Sequence, residues 1–302
     1  MLNFRELKLE DKEKLEPYLT QDGAIMADRC FAGLYIWRAH YGVQICLQDA
    51  FLFCISKKHK NRRTYYMPLG TGDFSHAMDL IEEDSREKGP YHIVLFTKAH
   101  MEELQRLRPG KYLFTEDRDN FDYIYNASDL MELKGKAYHA KRNYINRFLT
   151  QYNGRWRYED IDPQLHRDKL HEYTISWGRR KSGDGYEDDY KHELAAIDCA
   201  LTNYEALSMR GGILWIDDTI AAYTLGAIAG EGIMDVMFEK ADADIDGAYP
   251  MINHQFAIHN FSDLKLINRE EDMGIEGLRR AKLSYNPAFL TDKYILTPAE
   301  DM

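Results

Sequence analysis

The sequence contains no long run of uncharged apolar residues. None approaches the roughly 18 residues that a helix needs to span a bilayer. The longest candidate, around Ile220–Gly230, contains Thr224 and two glycines and is typical of a buried strand. The opening stretch MLNFRELKLEDKEK also lacks the apolar core of a signal peptide. These absences predict a cytoplasmic protein without an integral membrane segment.

Cysteine is scarce, and the spacing that would give it a metal-binding or redox role is missing. The cysteines include no C-x-x-C pair; they are Cys30, Cys46, Cys54 and Cys199. This pattern favours buried thiols in a reducing compartment over a disulfide framework.

Motifs for metal binding and for covalent catalysis are missing too. His254 and His259, like His166 and His171, are separated by five positions, which is about 140° around a helix, so neither pair shares one face. There is no G-x-S-x-G elbow, no Walker motif and no dinucleotide fingerprint. The sequence therefore predicts no metal site.

The composition is that of an ordinary globular protein. The 302 residues are 44% hydrophobic and 29% charged, which suffices for one large or two medium domains. The net charge of −11 argues against general affinity for nucleic acid or anionic lipid, while leaving room for a local basic patch.

The first half of the chain predicts a mixture of helices and strands. Strand FRELKL precedes two helices, the second at Arg29–Tyr41, and strands VQICL, FLFCIS and TYYMPL follow. Then come helix Phe74–Lys88, strand YHIVLFT, helix Lys98–Arg108 and strand KYLF. The breakers Gly89-Pro90 and Pro109-Gly110 separate these last elements.

The second half predicts the same order of elements. Strand WRYEDI is followed by helices Pro163–Arg180 and Tyr186–Met209, and strands GGILWI and IAAYTLGAIA are joined by the turn signal Asp217-Asp218. Strand IMDVMFEKA leads to a helix over about 248–261. Strand LKLIN, helix Gly277–Leu283 and strand KYIL complete the half.

Each half thus has the order β-α-α-β-β-β-α-β-α-β, which resembles the GNAT (acyl-CoA N-acyltransferase) fold. In that fold a mixed sheet splays in the middle to admit a ligand. The repetition predicts an α/β protein of the α+β, mixed-sheet kind with two tandem GNAT-like domains. We place the N-terminal domain at 1–128 and the C-terminal domain, with a basic lead-in helix, at 129–302. A generic α+β protein is the alternative.

A basic segment, Leu133–Tyr158, separates the two halves. It contains seven positive residues and no Asp or Glu; these are Lys134, Lys136, Lys141, Arg142, Arg147, Arg155 and Arg157. Tyr138, Ile145, Leu149 and Tyr152 fall on one helical stripe, which predicts a packed helix with a cationic flank. The flank suits a phosphate-bearing partner. Neutralisation by the acidic stretch Glu116–Asp122, or plain solvation, would explain it equally well.

The stretch GLRRAKLSYNP, followed by FLTDKY, resembles the end of the catalytic domain of phosphatidylglycerol lysyltransferases and of the soluble domains grouped with it. The matching positions are Gly277, Leu278, Arg279, Lys282, Tyr285 and Pro287, with Phe289 where the family often has tryptophan, and Tyr294 beyond. KGKAYHAKRNYINRFL and CFAGLYIWRAHYG are also similar to the family, so the likeness extends over nearly the whole chain.

The resemblance implies an acyl- or aminoacyl-transferase that moves an aminoacyl group from aminoacyl-tRNA to an unknown amine or hydroxyl acceptor. It places Arg279 and Lys282 in the cleft, where guanidinium and ammonium groups would contact the phosphates or terminal adenosine of the donor. We predict that Lys141, Arg142 and Arg147 of the basic helix bind the same donor.

One tyrosine and a run of three carboxylates are candidates for the chemistry itself. By the resemblance, Tyr285 would orient a leaving or attacking oxygen. Glu270 and Glu271, with Asp272 beside them, are candidate proton acceptors because they follow a strand end, where α/β active sites tend to lie. A helix start whose acidic residues complement the dipole is the alternative for these carboxylates.

The chain departs from active relatives in two respects. It lacks their multi-spanning membrane half, and after strand IMDVMFEKA the segment DADIDGAYPM replaces the usual acyl-CoA loop with three aspartates, which would repel a pyrophosphate. No cofactor is therefore predicted, although Gly70-Thr71-Gly72 keeps acyl-CoA-dependent N-acetylation open. The other alternative is a catalytically degenerate RNA- or partner-binding module. The polar loop Arg179–Tyr190 is a candidate lid or a plain helix connection.

Overall fold

Eight strands form the first of two mixed sheets in the computed structural model of the chain, which describes residues 1–21, 25–57, 62–182 and 186–299. They are β1 (Arg5–Glu6), β2 (Gln44–Gln48), β3 (Phe51–Ser56), β4 (Arg63–Tyr66), β5 (Leu69–Gly70), β6 (Tyr91–Phe96), β7 (Tyr112–Glu116) and β15 (Tyr294–Pro298). Their order is β1-β2-β3-β4-β6-β15-β7, with β5 paired to β3, and only the pairing of β4 with β6 is parallel among those described.

Caps in the sequence mark the end of one helix of the first unit and the start of another. The helices are α1 (Lys12–Leu19), α2 (Phe31–Tyr41), α3 (Phe74–Ser85) and α4 (Lys98–Leu107). α2 ends at Gly42, whose φ of 62° is the left-handed conformation that glycine adopts without strain. α3 begins after Asp73, whose carboxylate accepts hydrogen bonds from the backbone N–H groups of Ser75 and His76.

Seven strands form the second sheet. They are β8 (Tyr123–Asn126), β9 (Trp156–Asp160), β10 (Met209–Ile216), β11 (Thr219–Gly230), β12 (Ile233–Ala241), β13 (Leu266–Asn268) and β14 (Phe289–Leu290). Their order is β14-β8-β13-β12-β11-β10-β9. The predicted hairpin is confirmed: Ile216 pairs with Thr219 across Asp217-Asp218, and Asp217 has a φ of 51° as such a turn requires.

Six helices accompany this sheet in the described part of the chain. They are α5 (Ala127–Glu132), α6 (His139–Gln151), α7 (Pro163–Ser182), α8 (Tyr186–Thr202), α9 (Ala248–Asn260) and α10 (Glu276–Leu283). The basic helix is α6, and its apolar stripe packs as predicted: Ile145 and Phe148 are buried against Met251 and Ile252 of α9. The centre of the predicted loop Arg179–Tyr190, residues 183–185, lies outside the described residues.

The chain divides into two units, and each sheet includes one strand that the halves of the sequence do not assign to it. The first unit comprises Met1–Asp122, Glu271–Glu276 and the segment from Leu290 onward; the second comprises Tyr123–Glu270 and Gly277–Phe289. Strand KYIL, predicted to complete the second half, is β15 and lies between β6 and β7 of the first sheet. β8 was not predicted and belongs to the second sheet, paired with β13. The domain boundaries at 128 and 129 stay a prediction.

Candidate active site

The second sheet opens between β12 and β13. The two strands pair in parallel over three residues only, from Ile233 opposite Leu266 to Asp235 opposite Asn268. β12 continues to Ala241 along β11, whereas β13 ends at Asn268, and the described residues show no further pairing between the two strands. We call this end of the β12–β13 pairing the splay, after the feature that the sequence predicted, and the side chains around it form the candidate site.

Glu239 joins two polar side chains at the splay. One carboxylate oxygen accepts a hydrogen bond from Arg269 Nη2 at 3.0 Å, and the other accepts one from Asn253 Nδ2, also at 3.0 Å. The side chains of Arg269 and Glu239 are 11% and 15% exposed, and Asn253 is 4% exposed. In the described part of the chain, Arg269 Nη1 and Asn253 Oδ1 are buried without a hydrogen-bond partner. Two side chains held by the same carboxylate, Arg269 and Asn253, thus keep one buried donor and one buried acceptor that no described protein group satisfies.

Tyr285, a predicted catalytic residue, lies against two cations. The ammonium of Lys141 is 3.7 Å from the centre of its ring, and the guanidinium carbon of Arg269 is 4.8 Å from it. Such contacts favour the charged groups by about 0.5–2 kcal/mol each. Burial raises the pKa of Tyr285, so its hydroxyl stays protonated at physiological pH and can both donate and accept a hydrogen bond. The ring, 6% exposed, is thus a cation platform within the site.

Backbone carbonyls fix the segment that supplies Tyr285 and Lys282. Tyr138 donates its hydroxyl to the carbonyl of Tyr285 at 3.0 Å, and Tyr125 of β8 donates to the carbonyl of Lys282 at 2.8 Å. The Lys282 ammonium in turn donates to the carbonyl of Arg269. Lys282 therefore holds the backbone of Arg269 in place. Its position in the motif GLRRAKLSYNP did not indicate this role.

The remaining predicted donor-binding residues are two arginines on α6 and one on α10. Arg142 donates to the carbonyls of Leu133 and Gly135, and Arg147 forms an exposed ion pair with Asp246, with Nε–Oδ2 at 2.6 Å. Groups of the second unit thus bind two of the positive charges of the basic segment, and these two contacts do not involve the acidic stretch Glu116–Asp122. Arg279 lies on α10, half-buried, one turn before Lys282.

The predicted carboxylates fall on either side of the division between the units. Glu270 belongs to the second unit, where its carbonyl accepts from the N–H of Tyr123. Glu271 belongs to the first, where burial raises the pKa of its carboxyl despite Lys293 nearby. Asp272, also in the first unit, is fully buried and pairs with Arg118 at 3.3 Å. Their role as proton acceptors stays a prediction.

Both segments considered for acyl-CoA are filled by the protein itself. Asp73 occupies the N-terminus of α3 after the Gly-x-Gly segment, and a Cβ on Gly70 would lie 2.3 Å from the carbonyl oxygen of Ala50. At the start of α9, a Cβ on Gly247 would lie 2.5 Å from the carbonyl oxygen of Tyr144. α9 therefore begins in close contact with α6, next to Asp246.

Sequence reasoning missed Glu239, Asn253 and Arg269. Glu239 interrupts the apolar strand IMDVMFEKA near its end, and Arg269 directly follows LKLIN, so a charge at each of two strand ends was the available signal. Nothing in a single sequence indicates that the end of β12 and the residue after β13 lie close enough for Glu239 and Arg269 to pair.

Within the described residues no group of three or more His, Cys, Asp or Glu side chains could hold a metal ion. None of the helices in residues 1–21, 25–57, 62–182 and 186–299 combines the length and apolarity needed to cross a bilayer.

Comparison with known proteins gives a consistent family and fold. The family model described as phosphatidylglycerol lysyltransferase, C-terminal, matches residues 24–297. A conserved protein of unknown function from Bacteroides thetaiotaomicron is 36% identical, with a TM-score of 0.92 over 99% of this chain and 100% of that one. The C-terminal domain of a putative lysylphosphatidylglycerol synthetase from Agrobacterium fabrum is 12% identical, with a TM-score of 0.66 over 95% of this chain and 91% of that one.

Two further similarities concern the fold and the length. A tandem GNAT protein from the clavulanic acid biosynthesis pathway has a TM-score of 0.52 at 9% identity, covering 99% of both chains, so the predicted tandem GNAT-like fold is confirmed. An uncharacterised protein of Mycoplasmoides gallisepticum is 25% identical over 178 residues, 58% of this chain and 55% of that protein. The chain thus spans about half the length of this curated relative.

Proposed function

The chain belongs to the phosphatidylglycerol lysyltransferase C-terminal family, and on that premise we propose that it moves an aminoacyl group from aminoacyl-tRNA to an amine or hydroxyl acceptor. Family and fold together make it an acyltransferase of the lysyltransferase-like, GNAT-like kind. The donor and the transfer to a nucleophilic acceptor are the proposed part.

The observation that best supports the proposal is the buried Nη1 of Arg269 at the splay, which has no hydrogen-bond partner among the described residues. Acyl transfer places negative charge on the ester carbonyl oxygen, and a preorganised donor in a water-poor site stabilises that charge far better than water does. Glu239 and the Tyr285 ring hold the guanidinium in place, with Glu239 at 3.0 Å. Asn253 Oδ1, beside it on the same carboxylate, would accept from the ammonium of the aminoacyl group.

The cations on α10 complete the donor site in this proposal. Arg279 would contact phosphate or ribose of the tRNA end, and Lys282 would hold Arg269 through its backbone. Lys141 stays in the site, whereas Arg142 and Arg147 would contribute less because carbonyls and Asp246 already occupy their guanidinium groups.

The alternative donor, acyl-CoA, receives less support. A pyrophosphate at the start of α9 would meet Asp246 and the close approach of Gly247 to Tyr144, and at the start of α3 it would have to displace the Asp73 cap. A degenerate RNA-binding module would leave the donor and acceptor atoms at the splay without a use.

A thermal-shift comparison with charged tRNA, the same tRNA deacylated, and acetyl-CoA tests the proposal. A ligand at 100 times its Kd adds about 2.7 kcal/mol of stability, which raises Tm by a few degrees. We expect the largest rise with charged tRNA and its loss in Arg279→Ala, while Arg210→Ala, which removes an arginine paired with Asp263, keeps it. A rise with acetyl-CoA alone would overturn the donor assignment, and equal rises with both tRNAs would favour the binding module.

A further inference from the structure

Lys141 is a predicted donor-binding residue whose charged group reaches the Tyr285 ring. Its Nζ is 3.7 Å from the ring centre and 2.6 Å from the hydroxyl oxygen of Ser284. The guanidinium of Arg269 lies against the same ring. Two basic groups thus share one aromatic platform at the splay.

No carboxylate forms an ion pair with Lys141 among the residues that the structure describes. Glu239 is the nearest source of negative charge that acts on it, but both oxygens of Glu239 already bind Arg269 and Asn253. A half-buried ammonium next to a guanidinium and without a paired carboxylate is a poor place for a permanent positive charge.

The hydrogen bond with Ser284 has a fixed direction. Ser284 donates its own hydroxyl proton to the carbonyl of Ala281 at 2.6 Å, so its oxygen can only accept from Lys141. Lys141 can make this bond both as an ammonium and as a neutral amine. In the neutral form the amine has a free lone pair while one of its N–H groups still donates to Ser284; the attraction to the Tyr285 ring belongs to the ammonium form.

We propose that Lys141 is the proton acceptor of the acyl transfer, held at the splay by Ser284 and Tyr285; this inference rests on the proposed function. The acceptor nucleophile gives its proton to the Lys141 amine as its N or O forms a bond to the acyl carbon. The bond between that carbon and the ribose oxygen then breaks. The ribose oxygen leaves with the proton that Lys141 has taken up, which restores the amine.

The electrostatic surroundings suit this role. Burial and then the Arg269 guanidinium lower the pKa of Lys141 to about 8, against the opposing effect of Glu239. Tyr285 stays neutral, as does Tyr138, because burial raises the pKa of each hydroxyl. At pH 7.5 roughly a quarter of the molecules then carry the neutral amine, and a base whose pKa lies near the working pH is the most effective.

Competitive labelling with acetic anhydride, read by mass spectrometry, tests the amine in the full chain. The labelling rate of Lys141, normalised to that of the exposed Lys134, should rise with a midpoint near pH 8. Arg269→Met should move the midpoint upward by about 0.5–1 unit, because it removes a neighbouring positive charge. A midpoint above pH 10 in the wild type overturns the proposal, whether or not the variant folds.

A transfer assay separates this inference from the proposed donor. Lys141→Arg keeps the positive charge and cannot lose it, so charged tRNA should still raise Tm while transfer falls at least about 100-fold. Wild-type transfer by Lys141→Arg would contradict the role as proton acceptor. A labelling midpoint near pH 8 without any response to charged tRNA would contradict aminoacyl-tRNA as the donor, while the lowered pKa of Lys141 would stand.

Discussion

Glu239 binds two buried polar side chains at once, and this sets what a single substitution does at the site. Its carboxylate is the described counter-charge of Arg269, and it also orients Asn253. A buried cation that loses its carboxylate is left with the full cost of desolvation.

Glu239→Gln should therefore destabilise the second unit by about 3–5 kcal/mol. Asp263→Asn, which breaks the exposed Arg210–Asp263 pair, should cost less than about 1 kcal/mol. Urea unfolding followed by tryptophan fluorescence measures both, since Trp156, Trp177 and Trp215 lie in this unit. Equal losses in the two variants would mean that the Glu239–Arg269 contact contributes no more than a surface pair.

Asp84 of the first unit makes stability depend on pH. Burial opposes its charge, but hydrogen bonds from Lys88 at 2.5 Å and Tyr65 at 2.7 Å, together with Arg63, outweigh burial and lower its pKa. A lowered pKa in the folded state contributes stability above the ordinary value, 3.8, and this contribution disappears as the pH falls below it.

Asp84→Asn should accordingly lower the free energy of unfolding by roughly 2–3 kcal/mol at pH 7. The difference from wild type should shrink below about pH 4, where Asp84 of the unfolded chain takes up a proton, until the folded carboxylate is protonated at its lowered pKa. Urea unfolding followed by circular dichroism at pH 7, 4 and 3 measures it. A difference that stays constant over this range would show that the charge of Asp84 is not what stabilises the fold.

At the scale of single residues, sequence reasoning predicted Tyr285, Lys141 and Lys282 as site residues but did not name Glu239 and Arg269, which contact or lie beside them in the structure. The first three stand in motifs whose letters resemble a family. Glu239 and Arg269 act because two strands diverge, a tertiary property without a local signal. The direction of the Ser284 hydrogen bond likewise depends on where α10 ends, beside the carbonyl of Ala281.

At the scale of elements, the start of α9 determines how closely this helix packs against α6. Gly247 directly precedes α9; its φ of 82° suits glycine, and its missing side chain lets the helix start approach the carbonyl of Tyr144 in α6. The basic helix is thereby fixed against α9, with Lys141 one turn before that contact.

Gly247→Ala should cost more than the same change at Gly135, which has the same φ of 82° but no atom within 4 Å of the added Cβ. Both variants pay about 1–2 kcal/mol for the left-handed conformation. Only Gly247→Ala adds a clash with the Tyr144 carbonyl, worth about 1–3 kcal/mol more. Urea unfolding of both measures the difference, and equal costs would contradict the close packing of α9 on α6.

The predicted element order is confirmed nearly throughout, because turn and breaker residues marked most of the boundaries. The sequence did not predict the short elements β8, α5 and β14, and it assigned strand KYIL, which is β15, to the wrong sheet. The pairing partners of β8 and β15 lie far away in sequence, β8 with β13 and β15 with β6 and β7. Periodicity shows that a strand is present but does not specify which sheet it joins.

For the whole molecule, the charge distribution is what distinguishes donor recognition from general affinity for nucleic acid. The net charge of −11 opposes non-specific tRNA binding. In addition, ion pairs neutralise three arginines: Arg147 with Asp246, Arg155 with Asp217 and Arg210 with Asp263. Binding should therefore depend on the aminoacyl ester at the splay more than on the tRNA backbone.

The most direct test is equilibrium filter binding of radiolabelled tRNA with and without its aminoacyl group. The charged form should bind at least about tenfold more tightly, a difference of about 1.4 kcal/mol. Arg269→Met should abolish this preference, while Arg210→Ala keeps it. Equal affinity for charged and uncharged tRNA in the wild type would contradict recognition of the aminoacyl group by the Glu239–Arg269–Tyr285 site.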